Sequence, residues 1–286
     1  MVRYKLLGPS GLRVSEVALG TMTFGEDWGW GASNEESRRI FDRFADAGGN
    51  FVDTSNNYTN GTAERFVGEF IAAERDHFVV ATKYSLTERR DDPNAGGNHR
   101  KNMMRSIEGS LRRLGTDHVD LLWLRMWDAT TPVDEVLRAF DDLVRAGKVL
   151  YVGMSDTPAW VVAQAVTTTA LRGWTAPVAV QAPWSLADRG VEREVRDRVQ
   201  APFHVEIVGD VVALQPEAWL PHEMADVVPV SGEEVVQAEH LPALRQQPLA
   251  QVGPQESRST ADQDPSHAAP TPGRAAGGHE GGAADL

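Results

Sequence analysis

Short apolar runs rich in β-branched residues alternate with helix-length amphipathic segments through the first two-thirds of this 286-residue chain. Such alternation is typical of repeated βα units, which build a parallel sheet. Six strands are predicted, at residues 17–21, 51–54, 78–83, 119–124, 149–155 and 178–182. Helices are predicted between them, beginning near Asn34, Thr62, Lys101, Pro132 and Pro158.

Local signals mark the ends of several predicted helices. The pairs Thr131-Pro132 and Thr157-Pro158 each place an N-cap residue before a proline at the first helical position. Gly115 and Gly147 lie where helices are expected to end, because glycine adopts the left-handed backbone of a C-terminal cap without strain.

The last third of the chain departs from this pattern. Residues 205–214 predict a seventh strand, but prolines then interrupt every segment long enough for an ordinary helix. Residues 254–286 consist mainly of Ala, Gly, Pro, Ser, Gln and charged residues, which predicts disorder. We therefore divide the chain into a βα portion at 1–200, a divergent segment at 201–253 and a disordered tail at 254–286.

Charge follows the same boundary. The formal net charge is −13, and residues 201–286 carry −10 of it, with 13 acidic residues and three arginines. This balance opposes binding to nucleic acid or to anionic lipid.

The chain has no cysteine, which excludes a thiolate metal site, and no metal site is predicted. Its start resembles no signal peptide and no run reaches the ~20 apolar residues of a membrane helix, so we expect a cytoplasmic protein.

Three side chains suited to proton transfer follow two neighbouring predicted strands. Asp53 and Tyr58 lie at and just past the end of one strand, and Lys83 ends the next. A barrel of βα units gathers its chemistry at the carboxyl ends of its strands. A phenol gives its proton to a carbonyl oxygen more readily when an ammonium stabilises the phenolate, and a carboxylate can hold that ammonium. The alternative interpretation is that Asp53 caps a turn and Lys83 is a solvated loop residue.

Several further motifs occur in an order that resembles the aldo-keto reductase superfamily, and within it the bacterial sugar-aldehyde and general aldo/keto reductase-like members. The resemblance runs from about residue 4 to about residue 196. Besides the three residues above, it is carried by Leu6-Leu7-Gly8-Pro9-Ser10-Gly11-Leu12-Arg13-Val14-Ser15, Leu19-Gly20-Thr21-Met22-Thr23-Phe24-Gly25, Arg113-Leu114-Gly115-Thr116-Asp117, Gly147-Lys148-Val149 and Tyr151-Val152-Gly153-Met154-Ser155.

This resemblance implies an α/β fold of the (β/α)8 TIM-barrel type. Here the barrel is expected to be incomplete, with about six βα units, because residues 199–286 show no counterpart of the last two units. The resemblance also implies that Tyr58 protonates a carbonyl oxygen while a reduced nicotinamide delivers hydride, with Lys83 and Asp53 as the supporting pair.

The family's fourth catalytic residue is a histidine after the fourth barrel strand, and Arg125 occupies that position here. A guanidinium is permanently charged and presents five hydrogen-bond donors. Beside Lys83 it could favour phenolate over phenol and impair catalysis, or it could bind an oxyanion or a carboxylate-bearing substrate. A structural alternative is that Arg125 pairs with Asp53 and fills the pocket.

The cofactor implied by the resemblance is NADP, with NAD as the alternative. Residues at matching positions are expected to contact it, namely Gly20, Thr21, Met22, Asp53, Ser155, Gln181 and Trp184. Ser155 and Gln181 match the pair that bonds the nicotinamide carboxamide, and Trp184 takes the place of a stacking aromatic. For Met22, an ordinary core position is the alternative.

Substrate contacts are expected from Trp28, Trp30 and Trp127, which fall in predicted βα loops. Aromatic loop side chains often form recognition surfaces, although residues 26–31 could equally form a lid. The expected partner is a small carbonyl compound, and aromatic faces near carboxylates suit sugar-derived aldehydes or ketones. Two other functions stay open: a non-catalytic binding protein that keeps the nicotinamide site, and an inactive product of truncation or a frame change.

Overall fold

Parallel strands and helices alternate along the part of the chain that the structure describes. The computed structural model describes residues 2–89, 91–183 and 190, and the strand backbone at 203–208 and 211–216. The strands within these ranges are β1 (Tyr4–Leu6), β2 (Arg13–Ser15), β3 (Leu19–Gly20), β4 (Phe51–Asp53), β5 (Val79–Tyr84), β6 (Val119–Leu124), β7 (Val149–Ser155), β8 (Ala179–Gln181), β9 (Phe203–Val208) and β10 (Val211–Pro216). The α-helices are α1 (Asn34–Asp46), α2 (Thr62–Ile71), α3 (Arg100–Leu114), α4 (Val133–Arg145) and α5 (Ala159–Arg172).

Six of these strands, β3 to β8, form a parallel sheet in chain order, with one α-helix between each strand and the next. This arrangement confirms the six predicted strands. The bounds of β6 and β7 agree with the prediction, and β3 is shorter than predicted at both ends. It also confirms the fold class, an incomplete barrel of the (β/α)8 type.

The parallel sheet is curled. The side-chain amide of Gln181, at the end of β8, donates to the Asp53 carboxylate at the end of β4 over 3.3 Å. In a flat sheet, strands separated by four steps would lie about 19 Å apart. Side chains on the concave face of β4 and β8 therefore meet across an interior, as they do inside a barrel.

Alternation along each strand divides the apolar residues between two cores. The concave-face core contains Phe51, Val79, Ala81, Leu121, Trp123 and Ala179. The convex-face core contains the intervening residues Val52, Val80, Leu122, Leu124, Val152 and Val180, packed against the helices. Because successive side chains point to opposite faces, the strands are apolar on both sides and read as continuous hydrophobic runs.

A β-hairpin formed by β1 and β2 precedes the parallel sheet, and the sequence pattern did not predict it. Leu7 and Val14 of this hairpin region pack into the concave-face core, at the amino ends of the strands. The Asn50 side chain fixes the hairpin by accepting from the Ser15 N–H at 2.7 Å and donating to the Arg13 carbonyl at 3.1 Å. The hairpin thus covers the concave-face core at the amino ends of the strands, opposite the carboxyl ends that carry the predicted site.

The predicted helix boundaries are nearly right, but the predicted caps of α4 and α5 are wrong. Pro132 and Pro158 are themselves the N-cap residues, with extended ψ angles of 136° and 139°. The hydroxyls of the preceding threonines donate to other groups instead. Thr131 donates to the Asp128 carboxylate, and Thr157 donates to the Ser155 carbonyl. Gly115 does cap α3 in the left-handed conformation, with φ +65°, as predicted.

The prediction of one seventh strand at 205–214 is wrong, because the backbone forms two antiparallel strands there, β9 and β10. The residues between them are Gly209 and Asp210, and a Gly-Asp pair favours two-residue hairpin turns. β10 pairs with β8 in antiparallel orientation, so the segment does extend the sheet at the sixth strand.

Trp184, most of 201–253 and all of 254–286 lie outside the described residues. Within the described residues, no helix is long and apolar enough to cross a bilayer.

Candidate active site

Five predicted site residues form one layer at the carboxyl edge of the concave face. Asp53, Ser155 and Gln181 end β4, β7 and β8, Lys83 lies near the end of β5, and Arg125 directly follows β6. Lys83 and Arg125 are in phase with the concave-face residues of their strands, since side chains two positions apart point the same way. Sequence-distant residues are therefore brought together on five successive strands, as the predicted site requires.

Lys83 and Asp53 form a buried ion pair. The Lys83 side chain is 2% exposed and the Asp53 side chain 12%, and the ammonium also donates to the Thr54 carbonyl at 3.0 Å. Burial of an unpaired ammonium is costly, so the Asp53 carboxylate offsets much of the cost of placing Lys83 in this interior. The alternative interpretation of Lys83 as a solvated loop residue is wrong.

Asp53 keeps one carboxylate oxygen unused. Its Oδ2 accepts from Lys83 and Gln181, whereas the buried Oδ1 has no hydrogen-bond partner among the described residues. Buried polar atoms in native proteins nearly always have a partner, which is often a water or a ligand. The free Oδ1 therefore marks a position where a polar ligand atom would be satisfied.

Tyr58 lies against this ion pair. The Lys83 ammonium is 5.3 Å from the centroid of the Tyr58 ring, and the tyrosine is 9% exposed. Tyr58 opens a 3-10 turn that continues through Thr59 and Asn60, both with positive φ. Thr59 holds this uncommon backbone by donating to the Phe24 carbonyl at 2.5 Å and accepting from the Ala63 N–H at 3.1 Å. The phenol is thus presented by a fixed turn next to an ammonium.

Arg125 forms its ion pair with Asp156, so the interpretation that it pairs with Asp53 is wrong. Its Nη1 donates to the Asp156 carboxylate and, at 3.4 Å, to the Ser155 hydroxyl. Its main-chain N–H is fixed by the Tyr84 carbonyl at 3.0 Å. Asp156 is a site residue that the sequence did not reveal, although it directly follows the predicted residue Ser155.

Ser155 and Gln181, the predicted carboxamide pair, are register partners on β7 and β8. Each is engaged by a neighbour within the protein: Ser155 accepts from Arg125, and Gln181 donates to Asp53. The structure thus places the two polar groups side by side, which agrees with their predicted use as a pair. Their contact with a cofactor stays a prediction.

The residues after β3 differ in accessibility. Gly20 is exposed, and a Cβ built on it would meet no atom within 4 Å. Thr21 is fully buried, and both its N–H and its hydroxyl donate to the Asp53 carbonyl. Met22 is 45% exposed, so the alternative of a core position for Met22 is wrong. Gly20 and Met22 can therefore face a ligand, while Thr21 positions the backbone.

The three predicted substrate-binding tryptophans lie in loops at this edge, but they are not equally exposed. Trp30 is 52% exposed, and its ring centroid lies 5.6 Å from that of Trp28. Trp28 and Trp127 are half-buried and pack against the convex-face core. Trp30 is hence the most accessible of the three, and its ring packs against the ring of Trp28.

A polar clamp holds two loops of the site together, and sequence reasoning missed it. Asp128 accepts from the N–H groups of Asn98, Thr130 and Thr131 at 2.7–2.9 Å, and the Asn98 side-chain oxygen accepts from the Asp128 N–H. Burial alone would raise the pKa of Asp128, but these hydrogen bonds outweigh it and lower the pKa to about 2. The clamp fixes the loop that carries Arg125 to the loop that follows Lys83.

Fold and site together define an enzyme-like α/β half-barrel with ionisable side chains gathered at the carboxyl ends of its strands. The family model for the aldo/keto reductase family matches residues 16–213. The chain belongs to the aldo/keto reductase family.

Similar proteins extend this assignment. The chain is 41% identical to a norsolorinic acid reductase of Emericella nidulans over 69% of its own length and 54% of that protein. It is 43% identical to norsolorinic acid reductase A of Aspergillus parasiticus, over 67% of its own length and 52% of that protein. It is 40% identical to an aryl-alcohol dehydrogenase [NADP(+)] of Phanerodontia chrysosporium, over 82% of its own length and 71% of that protein. The chain spans about half the length of the two norsolorinic acid reductases that it matches.

Proposed function

We propose that this chain is an NAD(P)H-dependent reductase of aldehydes or ketones, with Tyr58 as the proton donor. The observation that carries the proposal is the buried Lys83 ammonium, paired with Asp53 and lying 5.3 Å from the Tyr58 ring centroid. A structural ion pair would not require a phenol held beside it by a turn with two residues at positive φ. Membership of the aldo/keto reductase family supports the same chemistry.

The proposed reaction assigns one task to each residue of the group. Tyr58 gives its proton to the carbonyl oxygen as that oxygen gains negative charge. Lys83 then stabilises the phenolate through its positive charge, and Asp53 keeps the ammonium in place. The reduced nicotinamide, when bound, supplies the hydride to the carbonyl carbon.

The nicotinamide end of the cofactor fits the residues at the carboxyl edge. Ser155 and Gln181 would hold the carboxamide, with the hydroxyl and the amide side by side. Among the described residues, Gly20 leaves open space above the strand end and Asp53 Oδ1 has no partner, so this oxygen would accept from a polar group of the ligand. NADP is the proposed form because one similar protein is named for it, and NAD is the alternative.

The substrate proposed is an aromatic aldehyde or ketone. The names of the similar proteins refer to an aryl alcohol and to norsolorinic acid. Exposed Trp30 and Met22, together with Met126 at 46% exposure, supply apolar contacts at the same edge. Such contacts favour a planar apolar substrate over the sugar-derived aldehydes that the sequence also suggested, and both classes belong in the test.

The test combines cofactor binding with turnover. Titration with NADPH and NADH, followed by nicotinamide fluorescence, measures binding, and loss of 340 nm absorbance measures the reduction of benzaldehydes, aryl ketones and aldoses. Binding with turnover of an aromatic carbonyl supports the proposal. Turnover of aldoses alone would overturn the substrate class, and no turnover of any carbonyl would overturn the function.

A second function, cofactor binding without catalysis, is favoured by one observation. Arg125 stands where the family has a histidine, and its guanidinium is held by Asp156 and Ser155. A protein of this kind would bind the nicotinamide nucleotide in the titration above and leave every carbonyl unreduced. Loss of binding as well as turnover would instead indicate an inactive product.

A further inference from the structure

The two basic side chains described in the site layer each have their own carboxylate. Lys83 pairs with Asp53, and Arg125 pairs with Asp156. The four formal charges sum to zero. An anionic substrate would therefore meet no net positive charge in this layer. To reach Lys83 or Arg125, it would have to compete with the carboxylate of Asp53 or Asp156.

The Arg125–Asp156 pair lies within reach of a ligand. The Arg125 side chain is 25% exposed and the Asp156 side chain 29%, in contrast to the nearly buried Lys83. The Arg125 Nε is buried and has no hydrogen-bond partner in the described part of the chain. The exposed part of the guanidinium is thus the part that a ligand carboxylate could contact.

Asp156 is positioned independently of Arg125. Its N–H donates to the Gln181 carbonyl at 3.1 Å, and its carbonyl accepts from the Trp127 N–H at 3.3 Å. Its φ is +42°, in the left-handed region that Asn and Asp tolerate better than most residues. These bonds therefore fix the main chain of Asp156 beside Arg125 whether or not the ion pair forms.

We infer that Asp156 determines substrate specificity: by neutralising Arg125 it restricts the site to uncharged carbonyl compounds. Without Asp156, the free guanidinium would select substrates that carry a carboxylate. This inference rests on the proposed function, because it describes the same site and the same reaction. It also opposes the expectation that Arg125 itself recruits a carboxylate-bearing substrate.

The test uses Asp156→Asn, which removes the charge and keeps a side chain suited to positive φ. The probes are 4-carboxybenzaldehyde and 4-nitrobenzaldehyde, which have the same planar shape and differ in charge. The ratio of their kcat/KM values is compared between variants, so that their different intrinsic reactivities cancel. Asp142→Asn is the matched control, since it removes the same charge from the outer face of α4, where Asp142 pairs with Arg100 and Arg138.

Asp156→Asn is expected to shift the ratio toward the carboxylate on the order of tenfold, the low end for a hydrogen bond to a charged group. Asp142→Asn should leave the ratio unchanged. Adding Arg125→Met to Asp156→Asn should abolish the gain, because the guanidinium is its source. A ratio in Asp156→Asn within about twofold of the unmodified protein, or a gain that survives Arg125→Met, overturns the inference.

Calorimetric titration separates this inference from the proposed function. If the unmodified protein reduces no carbonyl of the panel above, the proposed function fails, and the affinities for 4-carboxybenzyl and 4-nitrobenzyl alcohol then decide the inference. A similar gain in Asp156→Asn for the carboxylate alone supports it. Equal changes for both alcohols, or no detectable binding of the carboxylate by this variant, overturn it.

Discussion

Tyr58 is the single residue on which the proposed reaction depends most directly. Tyr58→Phe removes the proton donor and leaves the ring beside Lys83, so kcat should fall by about 10²–10⁴, the usual contribution of a positioned general acid. Stability should change little. The measurement is steady-state reduction of an aromatic aldehyde, with Tyr4→Phe as control because that hydroxyl bonds to the Gly48 carbonyl in the N-terminal hairpin region. Full turnover by Tyr58→Phe would exclude Tyr58 as the donor.

Asp128 should make stability depend on acidity. An aspartate has an ordinary pKa near 3.9, and the hydrogen bonds of the folded state lower the pKa of Asp128 to about 2. The folded protein therefore binds fewer protons than the unfolded chain in this range, and stability falls as the pH drops from about 4 to about 2.

Asp128→Asn removes this dependence. The variant should be less stable than the unmodified protein at pH 6, and the difference should shrink as the pH approaches 2, in urea unfolding followed by tryptophan fluorescence. Asp134→Asn, at an exposed position on α4, is the control and should show no such trend. A difference that stays constant with pH would show that the hydrogen bonds to Asp128 do not depend on its charge.

Sequence reasoning located the site residues that follow strand ends, because strand ends can be read from apolar runs. Asp53, Lys83 and Ser155 are of this kind, and the structure brings them into one layer. Asp156 and Asn98 were missed for a physical reason. Their roles depend on loop backbone geometry, such as the φ of +42° at Asp156, which no periodicity encodes.

At the scale of elements, a buried ion pair joins α2 to α3. Glu64 on α2 is fully buried and accepts from Arg113 on α3 at 2.6 Å and from the Thr82 hydroxyl of β5 at 2.6 Å. Arg113 also contacts Glu88 at 3.1 Å. One arginine thus fixes two helices and the loop after β5.

Arg113→Met should destabilise the protein by about 3 kcal/mol, because it leaves the Glu64 carboxylate buried without its cation. Arg112→Met is the matched control on the same helix, since Arg112 is exposed and should cost well under 1 kcal/mol. Thermal unfolding followed by circular dichroism compares the two variants. Equal effects would show that Glu64 is not stabilised by Arg113 in the folded state.

Helices and central strands were the easiest elements to predict, since their length gives the apolar pattern room to repeat. β6 and β7 follow the prediction residue by residue, whereas two-residue β3 and three-residue β8 are shorter than predicted. The β1–β2 hairpin escaped prediction because its strands of three residues are too short to show an alternation. Its place was set by packing of Leu7 and Val14 into the concave-face core.

For the whole molecule, the edge of the parallel sheet is the critical feature. β10 lies between β8 and β9 in the sheet, and Val212 is the register partner of Val180 on β8 and of Ile207 on β9. Val212→Pro would break this pairing and uncover the edge of β8, and unpaired edges associate. We expect larger particles by light scattering than for Val212→Thr, which keeps the N–H. A monodisperse Val212→Pro variant of unchanged size would contradict this role of β10.

The hydrogen bond between Gln181 and Asp53 also orders events during folding. The two residues are 128 positions apart, whereas each parallel strand pairs with the next strand along the chain. Neighbouring units can therefore assemble with short loop closures, and the contact across the interior forms only when β8 has arrived. The Lys83–Asp53 pair can exist long before Gln181 leaves the ribosome. Cofactor affinity, if Gln181 contributes to it, would consequently be gained in the last step of folding rather than built up strand by strand.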